Sequence, residues 1–330
     1  LGNTTFQGNF ADTQGGAVSL SGGSVRVTVV TASSNATNGY GGAFAVDGDL
    51  TGLRGRFEFN EAKWGGALSV KGGAVDLAAT HFSENYATAD GGAAHARENA
   101  QLTLRDARVY SNRAEGSGGA FFIEGANLEI RGAELSGSSA GGFGGAVALI
   151  GASRFDLWHA PLSSHQANEG GAVYVSGEST LEADTTAWDG NTAGVGGAIR
   201  VARGGTALLT NFQADGNRAI TSDGGFLAVA DNATTRFTSG VVKNNTSARH
   251  GGAIYAATNT AVDITGVRFS NNRTVGTGGA GGALHLASAR STVTSSWFDN
   301  NKAVANGGAV QLQGSGGYVG ARVMYCANNA

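Results

Sequence analysis

The sequence predicts an all-β fold, a right-handed single-stranded parallel β-helix (β-solenoid) of about 12 coils, and three observations carry that prediction. A Gly-Gly pair followed by a small or apolar residue recurs from Gly15 to Gly307 at steps of 24 to 30 residues, about 26 on average. Short runs of alternating apolar and polar residues follow each pair. An apolar-x-x-Asn element then closes the unit. Spacing of this regularity marks equivalent corners of a repeated coil.

Each element has a physical reason. The Gly-Gly pairs (first residues Gly15, Gly41, Gly65, Gly91, Gly118, Gly144, Gly170, Gly196, Gly224, Gly251, Gly281 and Gly307) suit a corner that needs φ > 0 or close approach of neighbouring backbones. A first strand comes next, as in Ala67-Leu68-Ser69-Val70 and Ala172-Val173-Tyr174-Val175. A polar turn leads to a second, as in Val75-Asp76-Leu77 and Leu128-Glu129-Ile130. Period-2 alternation means one buried face per strand. The apolar-x-x-Asn element supplies a third strand, as in Phe57 to Asn60, Phe82 to Asn85, Trp188 to Asn191 and Phe298 to Asn301. Three short strands without helical periodicity describe one solenoid turn, which buries its apolar face only by stacking on its neighbours. Residues 1–330 are read as a single β-helix domain.

The recurrent asparagines are expected to turn inward at a bend and to hydrogen-bond one another as a buried amide ladder. The ladder comprises Asn9, Asn35, Asn60, Asn85, Asn112, Asn191, Asn217, Asn245, Asn272 and Asn301. Ser138 and His165 replace Asn in two coils and interrupt it.

Composition narrows the function classes. There are 22 basic and 25 acidic residues, for a net charge of −3, with no basic run or tail, so nothing steers toward nucleic acid. No apolar stretch reaches the length of a membrane-spanning helix, so no direct membrane insertion is expected of this segment. The single Cys326 excludes an intrachain disulfide. Six sequons, at Asn3, Asn35, Asn232, Asn244, Asn245 and Asn272, are N-glycosylation acceptors if the source is a eukaryotic secretory pathway.

The pairing of Gly251-Gly252-Ala253-Ile254 and Gly197-Ala198-Ile199 with Phe82-Ser83-Glu84-Asn85 and Phe298-Asp299-Asn300-Asn301 resembles the repeat of the chlamydial polymorphic outer membrane proteins. It is also similar to repeats of large algal and protist surface proteins. The resemblance covers essentially the whole chain. It implies a passenger-type surface β-helix used in adhesion, in a family whose passengers are anchored by a C-terminal β-barrel. No series of barrel strands follows the solenoid here. The chain opens inside a coil, at Phe6 to Asn9, and closes in another, at Cys326 to Asn329. It is therefore expected to be an excerpt of a longer protein, or to have an end covered by another chain.

Parallel β-helices of the pectin-lyase-like kind also carry polysaccharide lyases and hydrolases, which need clustered carboxylates. The outward column of the second strand includes Asp76, Glu129, Asp156, Glu182 and Asp263, with Glu129, Asp156 and Glu182 on successive coils. Arg105 and Arg131 share that face, and a salt-bridged surface is the preferred reading over a catalytic or cation site. The six histidines fall at different phases, so no catalytic, metal or cofactor site is assigned. On the first strand, Phe122, Tyr174 and Tyr255 are expected as exposed aromatics. Trp64 and Phe143 occupy the variable corner before Gly-Gly. These five are the candidate partner contacts.

The expectation is a non-catalytic extracellular or cell-surface module for adhesion or for assembly of a surface structure. Its expected partners are surface or extracellular-matrix proteins or glycans, with end-to-end or lateral self-association. The alternatives are a pectin-lyase-like lyase or hydrolase and a purely architectural rod in a filament or appendage.

Overall fold

The computed structural model describes residues 1–330, which form β-strands and turns with no helix. The chain divides into two compact units, Leu1–Pro161 and Leu162–Ala330. Each is a stack of parallel coils about 26 residues apart in sequence, the β-solenoid that the glycine spacing predicts.

The coil that starts at Gly65 shows the plan. Its strands are Leu68–Lys71, Ala74–Ala78, His81–Ser83 and Tyr86–Ala87. Leu68 pairs with Phe44 on one side and Ala94 on the other, and Phe82 pairs with Phe57 and Val109. Tyr86 pairs with Glu61 and Arg113. Every pairing is parallel, between residues one coil apart. The fourth strand was not anticipated. At two residues it is too short for an alternating pattern to register, and it forms a narrow sheet of its own.

Inward positions line up because the register is one coil. In the first unit the third-strand column runs Phe57, Phe82, Val109 and Leu135, all buried. Phe57 and Phe82 stack with centroids 5.0 Å apart and planes 11° apart. In the second unit Phe269 and Phe298 stack at 4.8 Å and 6°. Each such ring removed from water contributes about 1.5–3 kcal/mol.

Two separate constraints explain the glycine pair. Gly65 has φ +67, in the left-handed region that favours glycine. Gly66 has no such torsion; a Cβ there would collide with the carbonyl oxygen of Gly92 in the next coil and with the backbone of Tyr86.

Two non-glycine residues of the same coil are also left-handed, Ala79 (φ +48) and Glu84 (φ +53). A side chain in that region costs roughly 1–2 kcal/mol. In each case the next residue, Thr80 and Asn85, turns into the core. Ser34, Phe59, Ser111, Asn244, Asn271 and Asn300 are left-handed in the same way, each directly before an inward Asn.

The ladder itself is built from side-chain amides. In the first unit Asn9, Asn35, Asn60 and Asn85 each donate Nδ2 to Oδ1 of the next, ending on Asn112, at 2.8 to 3.0 Å. In the second unit Asn191, Asn217, Asn245, Asn272 and Asn301 do the same, ending on Asn328 at 2.9 Å. The second donor of each inner amide reaches a main-chain carbonyl of the preceding coil, as Asn60 Nδ2 does to Ala32 at 2.9 Å. Ser138 accepts from the Asn112 backbone N–H at 3.3 Å and cannot continue the amide chain.

Candidate functional site

The outward face of the first strands is not an open surface. In the first unit its column begins at the exposed Ser19 and continues through Ala45, Ser69, His95 and Phe122, all four buried. What covers it is the corner before each Gly-Gly. Gln14, Tyr40 and Trp64 stack on one another by single parallel bridges. The Tyr40 and Trp64 rings lie 4.6 Å apart with planes at 18°. Tyr40 leans across the column, 6.2 Å from the His95 ring, with the Arg97 guanidinium 4.5 Å from its centroid. Lys63 Nζ lies 4.3 Å over Trp64.

Beneath this canopy is a cleft of about 300 Å³ lined by Gln14, Ser21, Tyr40, Asp47, Ser69, Lys71 and Arg97, among others. Its floor is small because Ala45 and Ser69 are small. Its walls offer a π-face, two cations, a carboxylate, an amide and hydroxyls. Those groups are able to hydrogen-bond and to stack. The His95 ring lies 5.3 Å from Phe122. Burial, aided by Arg97, lowers its pKa to about 4. His95 Nε2 is 3.9 Å from Glu124, but a neutral imidazole makes no ion pair there.

The second unit carries an analogous cluster. His250 and His285 stack at 4.5 Å, and Tyr255 packs 5.5 Å from His285. His250 Nδ1 accepts the Ala280 N–H at 3.3 Å, and Asp223 Oδ1 accepts the His250 N–H at 2.8 Å. Burial lowers the His285 pKa, and His250 lowers it further.

These contacts correct the expectation for the first-strand aromatics. Phe122 and Tyr174 are buried, at 9% and 3% exposure, and Tyr255 is half-buried. Trp64 and Phe143, at the corners before Gly-Gly, are both half-buried. Sequence alternation assigns inward and outward correctly but is blind to a corner that folds back over the outward side. The same blindness hid Arg97 and Lys71, whose shared phase at the strand end was the available signal.

The sequons also divide. Asn35, Asn245 and Asn272 are fully buried ladder members whose Nδ2 atoms already donate to neighbours, so they are excluded as glycan acceptors in the folded chain. Asn3, Asn232 and Asn244 are exposed.

On the second-strand face Glu129 and Asp156 are neighbours in register, and a shallower cleft of about 190 Å³ lies over them. Glu182 stands in the second unit beside Leu208. The carboxylates are tied to arginines: Asp76 to Arg105 at 2.6 Å, Asp156 to Arg154 at 2.8 Å, Asp263 to Arg236 at 3.7 Å, and Glu129 to Arg131. Arg131 also lies 4.5 Å over Trp158. No group of three or more His, Cys, Asp or Glu residues is disposed to hold a metal ion, and Cys326 is exposed.

Comparison with known proteins gives one family. The Chlamydia polymorphic membrane protein repeat matches residues 3–21 and 239–257. No curated protein and no solved structure matches the chain. Residues 239–257 span the inward Asn245 and the Gly251-Gly252 corner, the two features that set the coil register. The chain is a parallel β-solenoid, two segments of which match the Chlamydia polymorphic membrane protein repeat.

Proposed function

We propose that the chain is a non-catalytic, extracellular module of a cell-surface protein, acting in adhesion or in the assembly of a surface structure. The observation that carries the reading is the polar, aromatic-walled trough on the first-strand face. It presents Tyr40, Trp64, Arg97 and Lys71 at fixed positions on a stacked-coil scaffold. The repeat match supports a surface setting, since the matched family is one of membrane proteins. Partners of this module are surface or extracellular-matrix proteins or glycans, and self-association of the solenoid fits the assembly role.

Beads coated with the purified chain test this directly. Retention on host cells or extracellular matrix above a coated control, reduced by Tyr40→Ala with Arg97→Ala, supports adhesion. Ordered polymers of the chain by electron microscopy support assembly, and neither result contradicts both roles.

The enzyme alternative rests on the cleft over Glu129 and Asp156. It is tested by turnover on polygalacturonate and neutral polysaccharides. Activity abolished by Asp156→Ala or Glu182→Ala replaces the binding reading with a lyase or hydrolase.

A further inference from the structure

The narrow fourth-strand sheet of the second unit carries three cations on one column, none with a carboxylate within 4.0 Å. Its outward column runs Gln166, Thr192, Arg218, Thr246, Arg273, Lys302 and Asn329, one residue per coil. Arg218, Arg273 and Lys302 are exposed. Arg200, Arg236, Lys243 and Arg268 each lie within 4.0 Å of a carboxylate, on Glu169, Asp263, Asp215 and Asp299; Arg218, Arg273 and Lys302, like Arg203, Arg249, Arg290 and Arg322, do not. What distinguishes the three is that they share one column. In a chain with a net charge of −3, three exposed cations on one column make a local concentration of positive charge.

Two residues further along each coil stands a second column, in which Ile220, Val275 and Val304 are 51%, 54% and 48% exposed. The result is an aliphatic track, interrupted at Ala248, beside a cationic one, interrupted at Thr246: at about 4.8 Å per coil, Arg218 stands two coils from Arg273 and Arg273 one coil from Lys302.

We infer that this ridge binds an acidic linear polysaccharide, one bearing carboxylates or sulfates along its length. Cations one and two coil spacings apart on a single column suit a polymer that carries charge along its length, and the aliphatic residues suit the C–H faces of sugar rings. Nucleic acid is disfavoured because this ridge has no aromatic side chain on which a base could stack. A lipid surface is disfavoured because the apolar residues lie flat on a sheet, without the projecting aromatics of an interfacial anchor. The inference deepens the adhesion reading and rests on it, but it concerns a different face from the trough.

The test is binding of the whole chain to polygalacturonate and to heparin at low ionic strength, with dextran, a single-stranded oligonucleotide and phosphatidylserine vesicles as comparisons. The variant is Arg218→Thr, Arg273→Thr and Lys302→Thr together; threonine already occupies this column at Thr192 and Thr246. The expected result is binding to at least one acidic polysaccharide that weakens as salt rises. The variant should lose on the order of tenfold or more in affinity, from three removed charge contacts, and melt at the wild-type temperature. Unchanged affinity in the variant overturns the inference. So does absence of binding to both acidic polymers, or tighter binding to dextran, oligonucleotide or vesicles. A chain that adheres to cells yet ignores both polymers sinks the ridge and leaves adhesion standing. A chain that binds the polymers but no cells keeps the ridge and sinks the adhesion role alone.

Discussion

Asn60 and Asn85, 25 residues apart in sequence, are joined twice: the Asn60 backbone N–H and its Nδ2 both donate to Asn85 Oδ1, at 3.1 and 2.9 Å. Asn85 in turn donates to the Phe57 carbonyl at 2.8 Å and to Asn112 Oδ1 at 2.9 Å. One buried amide thus holds the coil before it and the coil after it, and it uses both its donors and its acceptor to do so.

Removing that amide leaves several buried groups unpaired. Asn85→Ala is expected to destabilise the fold by on the order of 3 kcal/mol. Asn85→Ser should cost less, because the hydroxyl still accepts a main-chain N–H as Ser138 does from Asn112. Thermal unfolding followed by circular dichroism ranks the two; equal midpoints for wild type and Asn85→Ala would remove the structural role of the ladder.

The two glycine constraints separate by mutation. Gly72→Ala meets nothing closer than 3.9 Å, so it carries the strain of φ +60 alone, about 1 kcal/mol. Gly66→Ala drives a methyl into the backbone of the next coil and is expected to lower the melting midpoint far more, or to abolish soluble protein. Comparable behaviour of the two variants would contradict the close packing of adjacent corners.

His95 makes stability depend on pH. Its pKa is lowered from 6.5 to about 4, so above pH 6.5 the ring is neutral whether the chain is folded or not. Between 6.5 and about 4 the unfolded chain takes up a proton that the folded chain refuses. Stability is therefore lost as pH falls through that window, by up to about 3 kcal/mol from this residue. His285 acts in the same direction. His95→Ser, which copies Ser69 of the preceding coil, should reduce the difference in melting midpoint between pH 7 and pH 4.5. An undiminished difference would show that His95 titrates normally.

Glycan placement follows burial. In protein secreted from a glycosylating host, folded material is expected to carry glycans at Asn3, Asn232 or Asn244, and none at Asn35, Asn245 or Asn272. Peptide mass spectrometry reads this out, and occupied Asn245 in folded protein would contradict the buried ladder.

Much of the fold was legible because the sequence repeats its own instructions. Phe82 and Asn85 recur at one phase, so their columns could be read before any coordinate. Phe122 and Tyr174 show where this reading failed: whether an outward residue meets water depends on how far Tyr40 or another corner side chain leans, and periodicity carries no trace of that lean. Arg218, Arg273 and Lys302 were missed for another reason. The strands of Arg218 and Arg273 are two residues long and Lys302 makes only single bridges, so they gave no alternating pattern by which to place them on one face.

The coil register itself is tested most directly by pyrene excimer fluorescence. In a Cys326→Ser background, pyrene is attached at Thr103→Cys and Glu129→Cys, which pair on adjacent coils, or at Thr103→Cys and Arg113→Cys, closer in sequence but on different strands of different sheets. Strong excimer emission from the first pair and monomer emission from the second is the expected result. Excimer from the nearer pair alone would mean that residues one repeat apart do not lie over one another.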